Sequence, residues 1–245
     1  MRKIALVAAA AMYLLACVEN NSKVPQAADD TLHHKKAVVK KPITEFEKEC
    51  IAAGMVDVHQ LDSTIVVSLK YSTTDNFMGM DMYGDFDKAY LQKDVAEKLV
   101  NAQKFLEEAK PGLHLIIYDA ARQHRVQQLM WDSVKMPLNE KTWFLADPKL
   151  GSLHNFGAAV DISIVDVQGK ALDMGTPFDF NGTTSATDNE AKLLNEGKLT
   201  QSQIDNRKLL RSVMNKAGFF NVQSEWWHFN ACTYEEAMKK YEILE

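Results

Sequence analysis

The sequence predicts an α+β fold in which a single domain has an antiparallel sheet core, flanking helices and a metal site at the sheet. Short segments rich in β-branched residues predict strands, and longer segments with apolar residues at helical spacing predict helices. The two kinds of element are mixed without a regular βαβ repeat, which favours antiparallel pairing. The 245 residues allow one substantial core, and 46% hydrophobic and 25% charged residues are ordinary for a globular domain.

In the first half of the chain, residues 63–71 (STIVVSLKY) are rich in β-branched side chains and predict a strand. Apolar residues then recur at helical spacing from about 88 to 110, where Pro111-Gly112 ends the pattern, so this segment predicts a helix. A buried strand over 114–119 (HLIIYD) and a helix over about 122–134 follow.

The second half of the chain begins with a long polar loop that extends to about residue 151. A strand pair is predicted over 158–172, with its turn at Gln168-Gly169. Residues 201–217 have the pattern of a strong helix, and 226–230 form a short aromatic strand before a terminal helix. These elements complete a single domain with strands and helices interleaved.

The charge balance argues against a nucleic-acid partner. The formal net charge is −5, and the mature chain is expected to be more acidic because Arg2 and Lys3 lie in an N-terminal segment that we expect to be removed. Binding to phosphates requires a basic face, which nothing in this sequence supplies.

The N-terminal residues resemble a bacterial export signal. Arg2 and Lys3 precede an apolar run over residues 4–15, which is too short to span a membrane permanently. The run ends in Leu14-Leu15-Ala16-Cys17, which resembles a lipobox, where the cysteine becomes the lipid-bearing N-terminus. An ordinary signal peptide that holds a cysteine near its cleavage site is the alternative.

These features predict a lipoprotein signal peptide over residues 1–16, a flexible tether over 17–45 and a folded domain over 46–245. The expected location is the cell envelope, with the exported protein attached to a membrane through lipid at Cys17. The remaining cysteines, Cys50 and Cys232, are distant in sequence, and their spacing leaves both a disulfide and two free thiols open.

The strongest chemical signal combines His154 and Asp161 with Glu225 and His228 about seventy residues later. Two imidazoles and a carboxylate are a common three-ligand zinc set that leaves a position for water, and a nearby glutamate can accept that water's proton. His154 and Asp161 would face opposite sides of one continuous strand, but Gly157 allows the chain to bend between them. The spacing of Glu225 and His228 likewise predicts irregular backbone near the glutamate.

The pattern SxHxxGxAxD over 152–161, followed by EWWHF over 225–229, resembles the peptidase family that contains the D-alanyl-D-alanine dipeptidases. The segments 69–79, 174–179 and 206–219 also resemble parts of that family. The similarity extends from about Val56 to Asn230, and it implies that residues 46–245 are a catalytic domain.

The resemblance implies one zinc ion per chain, held by His154, Asp161 and His228, with Glu225 as the general base. It implies that Arg122 polarises the scissile carbonyl, because a guanidinium stays charged while negative charge develops on the oxygen. Where related dipeptidases have Gly-Tyr-Arg-Pro, this chain has Ala120-Ala121-Arg122-Gln123, and Arg125, one helical turn further on, is the fallback candidate for this role. The implied substrate-binding residues are Tyr71, Ser152 and Asp179.

By this resemblance the expected activity is zinc-dependent hydrolysis of the D-alanyl-D-alanine dipeptide to free D-alanine in cell-wall peptide turnover. A zinc D,D-carboxypeptidase or a peptidoglycan endopeptidase that acts on longer cell-wall peptides is the second possibility, because these relatives share the same motifs. A non-catalytic lipoprotein that binds cell-wall peptides is a more remote one. The presence of Glu225 beside a ligand argues against it.

Overall fold

The computed structural model describes residues 42–245. Its strands are β1 (Met55–Asp57), β2 (Val66–Val67), β3 (Tyr90–Gln92), β4 (His114–Asp119), β5 (Ala159–Val165), β6 (Phe220–Asn221) and β7 (His228–Asn230). Its helices are α1 (Glu45–Ala52), α2 (Val58–Leu61), α3 (Lys93–Ala109), α4 (His124–Ser133), α5 (Leu138–Phe144), α6 (Glu190–Asn195), α7 (Gln201–Lys216) and α8 (Tyr234–Lys240). Short 3-10 turns occupy Lys70–Ser72, Leu153–Phe156 and Thr183–Ser185.

The main sheet has five strands in the order β2-β4-β5-β7-β6. The pairs β4–β5, β5–β7 and β7–β6 are antiparallel. Strand β2 lies at the edge of the sheet and is parallel to β4. A separate antiparallel ribbon joins β1 to β3. The predicted α+β fold with a largely antiparallel sheet and flanking helices is therefore confirmed, with β2 as the parallel exception.

Helix α3 buries one apolar face. Its side chains Val95, Leu99 and Leu106 are almost completely buried, and the helix packs against α7 and β4. Burying each of these side chains contributes about 1.5–3 kcal/mol to stability. The helix begins at Lys93, later than the sequence pattern predicts, because the preceding residues 90–92 pair with β1 as a strand.

Two predicted strands are shorter than their sequence patterns suggest. Of residues 63–71, only β2 is extended, and the chain then turns so that the Tyr71 side chain is buried. The predicted strand pair over 158–172 is reduced to β5 and a single bridge between Val165 and Ala171. The Asp166 side chain accepts hydrogen bonds from two backbone N–H groups in between, which stabilises a turn instead of a second strand.

The predicted long polar loop before residue 151 contains the short helix α5. The predicted aromatic strand over 226–230 begins only at His228, and the backbone near Glu225 is irregular, as the spacing of these two residues predicted. Helix α7 matches its predicted bounds to within one residue at its C-terminal end. Its start is set by a capping box between Thr200 and Gln203.

The predicted signal peptide and most of the predicted tether lie outside the described residues. Within residues 42–245, none of the helices has the length and apolar character needed to cross a membrane. Cys50 and Cys232 are both free thiols, so the disulfide alternative is not realised in this structure.

Candidate active site

The side chains of His154, Asp161 and His228 meet at one end of the main sheet. Asp161 on β5 and His228 on β7 are directly paired residues of adjacent antiparallel strands. His154 comes from the 3-10 turn that precedes β5. One ligand atom from each side chain lies within 4.8 Å of the others, and this is the one such group of potential metal ligands in the described part of the chain.

The local sequence around His154 holds its turn in place. Ser152 and Asn155 form a capping box, in which each side chain accepts a hydrogen bond from the backbone of this segment. Gly157 then adopts a left-handed conformation with φ of 62°, which lets the chain reverse into β5. The predicted bend at Gly157 is therefore present, and it brings His154 and Asp161 to the same point.

Hydrogen bonds to the outer nitrogens orient both imidazole rings. His154 Nδ1 donates to the carbonyl of Ala120 at 2.7 Å, and His228 Nε2 donates to Asn230 Oδ1 at 2.8 Å. In neutral rings these bonds leave lone pairs on His154 Nε2 and His228 Nδ1, which face each other across 3.2 Å.

Asp161 Oδ1 completes this group at 3.4 Å from His154 Nε2 and 3.0 Å from His228 Nδ1. Three electron-pair donors that converge in this way repel one another unless a cation lies between them. The donor set is therefore chemically suited to a metal ion.

Glu225 lies at the edge of this donor set. Its Oε2 atom is 4.0 Å from His228 Nδ1, and its side chain is 17% exposed, so it faces the cavity more than the solvent. Burial raises the pKa of Glu225 to about 8, because water solvates its charged form poorly in this cavity. A carboxylate of this kind is suited to proton transfer near neutral pH.

Arg122 is buried beside the metal-ligand group. Its Nε and Nη2 atoms donate to Asp119 Oδ2 at 2.8 and 2.5 Å, and its Nη1 donates to Gln127 Oε1 at 2.8 Å. Nη2 also lies 3.6 Å from Asp161 Oδ2. Arg122 is thus held by three side chains, even though the glycine, tyrosine and proline of the family pattern are missing. Arg125, the fallback candidate, is exposed and does not line the cavity.

Asp179 and Tyr71 meet in the wall of the same cavity, where the Tyr71 ring lies 5.1 Å from the guanidinium carbon of Arg122. The Tyr71 hydroxyl lies 3.0 Å from both carboxylate oxygens of Asp179 and donates to them. Asp179 has φ of 61°, which is uncommon for a residue other than glycine. Burial and the nearby Asp161 raise the pKa of Asp179 well above its ordinary value, so a cation beside it would be strongly favoured.

All eight side chains predicted from the sequence line one cavity of about 90 Å³. They are His154, Asp161, His228, Glu225, Arg122, Tyr71, Ser152 and Asp179. Phe144, Leu145 and Ala146, at the end of α5 and just after it, also line the cavity. The cavity is lined by the three carboxylates of Asp161, Asp179 and Glu225 and by one guanidinium, that of Arg122, so the site favours cations.

Three residues that support the site, Asp119, Gln127 and Asn230, were not predicted from the sequence. Asp119 is completely buried, accepts a 2.7 Å hydrogen bond from the Tyr83 hydroxyl and binds Arg122. The sequence feature that could have identified Asp119 is an acidic residue at the end of an apolar strand, three positions before Arg122. Gln127 and Asn230 are ordinary polar residues in sequence, and no pattern distinguished them.

This α+β domain brings a His/Asp/His group, a largely buried glutamate and a fixed arginine together in one small cavity, which is the arrangement of a metal-assisted hydrolase. The comparisons with known proteins assign it to a family. A profile described as Peptidase M15, D-ala-D-ala dipeptidase, matches residues 51–242. The chain belongs to this peptidase family, which confirms the resemblance found in the sequence.

Two relatives show the extent of the similarity. A D-alanyl-D-alanine dipeptidase of Escherichia coli (strain K12) is 30% identical over 175 residues, which cover 71% of this chain and 83% of that protein. One from Enterococcus faecium is 27% identical over 175 residues, which cover 65% and 82%. Among solved structures, a D,D-pentapeptidase from a VanB-type resistance cassette, in complex with Zn(II), covers 62% of this chain and 78% of its own, with 18% identity. Its TM-score of 0.37 is too low to inform the geometry of this site.

Proposed function

We propose that this protein is a zinc-dependent dipeptidase that hydrolyses D-alanyl-D-alanine to free D-alanine in cell-wall peptide turnover. The observation that carries the proposal is the single small cavity that all eight predicted site residues line. Membership of the dipeptidase family and the activity in the names of the similar proteins support the choice of substrate. The alternative is a carboxypeptidase or endopeptidase that acts on longer cell-wall peptides, and a comparison of substrates distinguishes the two activities.

The donor set supports zinc as the metal, with one ion per chain. A tetrahedral zinc ion with nitrogen and oxygen ligands at about 2.0–2.2 Å separates its ligand atoms by roughly 3.3–3.6 Å. The three donor atoms of His154, Asp161 and His228 are 3.0 to 3.4 Å apart. Three protein ligands are also the usual number at a catalytic zinc site, which leaves one position for water or substrate.

When bound, zinc would supply a Lewis acid that polarises a carbonyl oxygen and makes water easier to deprotonate. Glu225 would accept the proton of the attacking water and deliver it to the departing amine, so the same carboxylate serves both halves of the reaction. Arg122, held by Asp119 and Gln127, would place its positive charge near the carbonyl oxygen as negative charge develops there. Because these bonds already hold the guanidinium, little reorganisation is needed during the reaction.

Asp179 and Tyr71 would recognise the free ammonium group of the dipeptide. A carboxylate with a raised pKa in a cavity gains most from an opposite charge placed directly beside it. The Tyr71 hydroxyl, which donates to this carboxylate, keeps it turned toward the cavity. Ser152 lines the same cavity, but its side chain is occupied in capping the His154 turn.

The decisive experiment compares D-Ala-D-Ala with N-acetyl-D-Ala-D-Ala as substrates of the zinc-loaded protein. Acetylation removes the ammonium charge and leaves Asp179 without an oppositely charged partner from the substrate, which costs about 2–5 kcal/mol for a desolvated charged pair. The free dipeptide should therefore be hydrolysed with a kcat/KM at least roughly thirtyfold higher, measured by release of D-alanine.

Asp179→Ala is the matched variant for this comparison. It should erase most of the preference, because it slows the free dipeptide much more than the acetylated one. Efficient hydrolysis of the acetylated dipeptide or of a cell-wall pentapeptide by the unmodified protein would instead support the carboxypeptidase or endopeptidase activity.

We further propose that the protein is an exported lipoprotein, attached to a membrane through Cys17. The support is the sequence of the N-terminal segment alone. Expressed in a bacterium, the full chain should partition with membranes, and Cys17→Ser should release it, because multiple acyl chains bind far more firmly than one. Cell fractionation with an antibody measures this, and equal partitioning of both forms would refute lipidation at Cys17.

A further inference from the structure

Arg207 on α7 is a completely buried arginine that contacts three backbone carbonyls. Its Nε donates to the carbonyl of Met174 at 2.6 Å and its Nη2 to that of Thr184 at 3.0 Å. Its Nη1 donates to the carbonyl of Ala186 at 3.5 Å. A buried guanidinium is costly unless its donors are satisfied, and here backbone groups of one loop satisfy all three nitrogens.

The three carbonyls belong to the two ends of the segment 174–186, here called the Asp179 loop. Met174 is its first residue, whereas Thr184 and Ala186 lie at its end, so Arg207 joins the two ends across its planar guanidinium. Asp179 lies near the middle of the loop in the left-handed region of backbone space. That conformation persists in a residue other than glycine only when the surrounding structure holds it.

We propose that Arg207 is a positioning residue for recognition of the substrate's ammonium group. By joining the ends of the Asp179 loop, it keeps the Asp179 carboxylate at the Tyr71 hydroxyl and directed into the cavity. The proposal rests on the proposed function, because it concerns the specificity for a free N-terminus. Arg207 itself does not line the cavity, so it acts through the loop.

Arg211, one helical turn further along α7, provides a matched control. Both arginines contact the same buried carboxylate, Glu190, with Arg207 at 3.7 Å and Arg211 forming two hydrogen bonds at 2.6 and 2.8 Å. The hydrogen bonds of Arg211 go to Glu190, which lies outside the Asp179 loop. A change at Arg211 therefore disturbs the same charge cluster without releasing the ends of the loop.

The test uses Arg207→Lys and Arg211→Lys in the full-length, zinc-loaded protein. A lysine keeps the charge, but its single ammonium nitrogen cannot occupy the separate positions of Nε, Nη1 and Nη2, from which the arginine donates to carbonyls at both ends of the loop. For Arg207→Lys, we expect KM for D-Ala-D-Ala to rise roughly tenfold and kcat/KM for N-acetyl-D-Ala-D-Ala to stay within about twofold. Arg211→Lys should preserve the preference for the free dipeptide, and zinc content should be equal in all forms.

Hydrogen exchange measures the same effect without any substrate. The amides of Gly182, Ser185 and Ala186 are hydrogen-bonded within the loop and should exchange about tenfold faster in Arg207→Lys than in Arg211→Lys. If Arg207→Lys does not fold, Asn206→Ala decides instead, because Asn206 is only half-buried and donates to the carbonyl of Asp173 at the entrance to the loop. Asn206→Ala should lower the preference for the free over the acetylated dipeptide by about threefold, and it should speed hydrogen exchange of the loop amides.

Equal slowing of both substrates in Arg207→Lys, or unchanged exchange of the loop amides, would overturn the proposal. If Asn206→Ala is the deciding variant, the proposal is overturned when this variant keeps both the preference for the free dipeptide and the exchange rates of the loop amides unchanged. Failure of the proposed function gives a different result: the unmodified protein would then show no preference for the free dipeptide, whatever the exchange rates of the loop.

Discussion

Replacing Glu225 with glutamine is expected to lower turnover of D-Ala-D-Ala by roughly 10² or more while zinc content stays unchanged. Glutamine keeps the size and polarity of the side chain but cannot accept a proton from water. The carboxylate stands 4.0 Å from the nearest donor atom of His228, beside the His/Asp/His set, so its loss should spare metal binding. Steady-state kinetics and metal analysis of the same preparation measure both quantities.

Glu140→Gln is the control for this experiment. Glu140 is an exposed glutamate on α5, close in sequence to the residues that line the cavity, and its replacement removes the same charge outside the site. Its turnover should match that of the unmodified protein. Near-normal turnover in Glu225→Gln would show that another group carries the proton.

The second large effect is expected from the predicted zinc ligands. His154→Ala and His228→Ala should each reduce the zinc content well below one ion per chain and abolish hydrolysis, because each removes one of three protein ligands. Chelation of the unmodified protein should abolish hydrolysis in the same way, and added zinc should restore it. Atomic absorption measures the zinc content, and release of D-alanine measures the hydrolysis.

His59→Ala serves as the control for the ligand variants. His59 Nδ1 lies 3.3 Å from the carbonyl of Ile65, and the residue is not part of the His/Asp/His group. This variant should retain zinc and activity. Full zinc content in both ligand variants would rule out the proposed ligand set.

Several elements of the fold could be predicted because local pattern and tertiary environment agree. Residues 114–119 are mostly apolar and include two β-branched isoleucines, and they form β4, an interior strand of the sheet, with the predicted bounds. Helix α7 has a capping box at its start and a regular apolar face, so its ends are encoded locally. The motifs over 152–161 and 225–229 likewise contain five of the predicted side chains that line the cavity: Ser152, His154, Asp161, Glu225 and His228.

Predictions failed where packing overrides local propensity. Residues 63–71 have the composition of a strand, but the burial of Tyr71 and its bond to Asp179 require the chain to turn at 70–72. The residues after β5 fold into a turn around Asp166 because its carboxylate accepts two backbone hydrogen bonds. Side-chain capping of this kind competes with strand pairing, and composition alone does not distinguish the two.

The sequence by itself determined the kinds of groups in the site, and the resemblance of its motifs over 152–161 and 225–229 to those of the dipeptidases indicated the family to which the chain belongs. Only the tertiary structure decided how these groups are supported. The bond between Tyr71 and Asp179 joins residues 108 positions apart, and the register of β5 against β7 places Asp161 opposite His228. The bonds of Asp119 and Gln127 to Arg122, and of Arg207 to its loop, likewise depend on which surfaces the folded chain brings together, because hydrogen bonds need atoms within about 3 Å and spacing along the chain does not specify this.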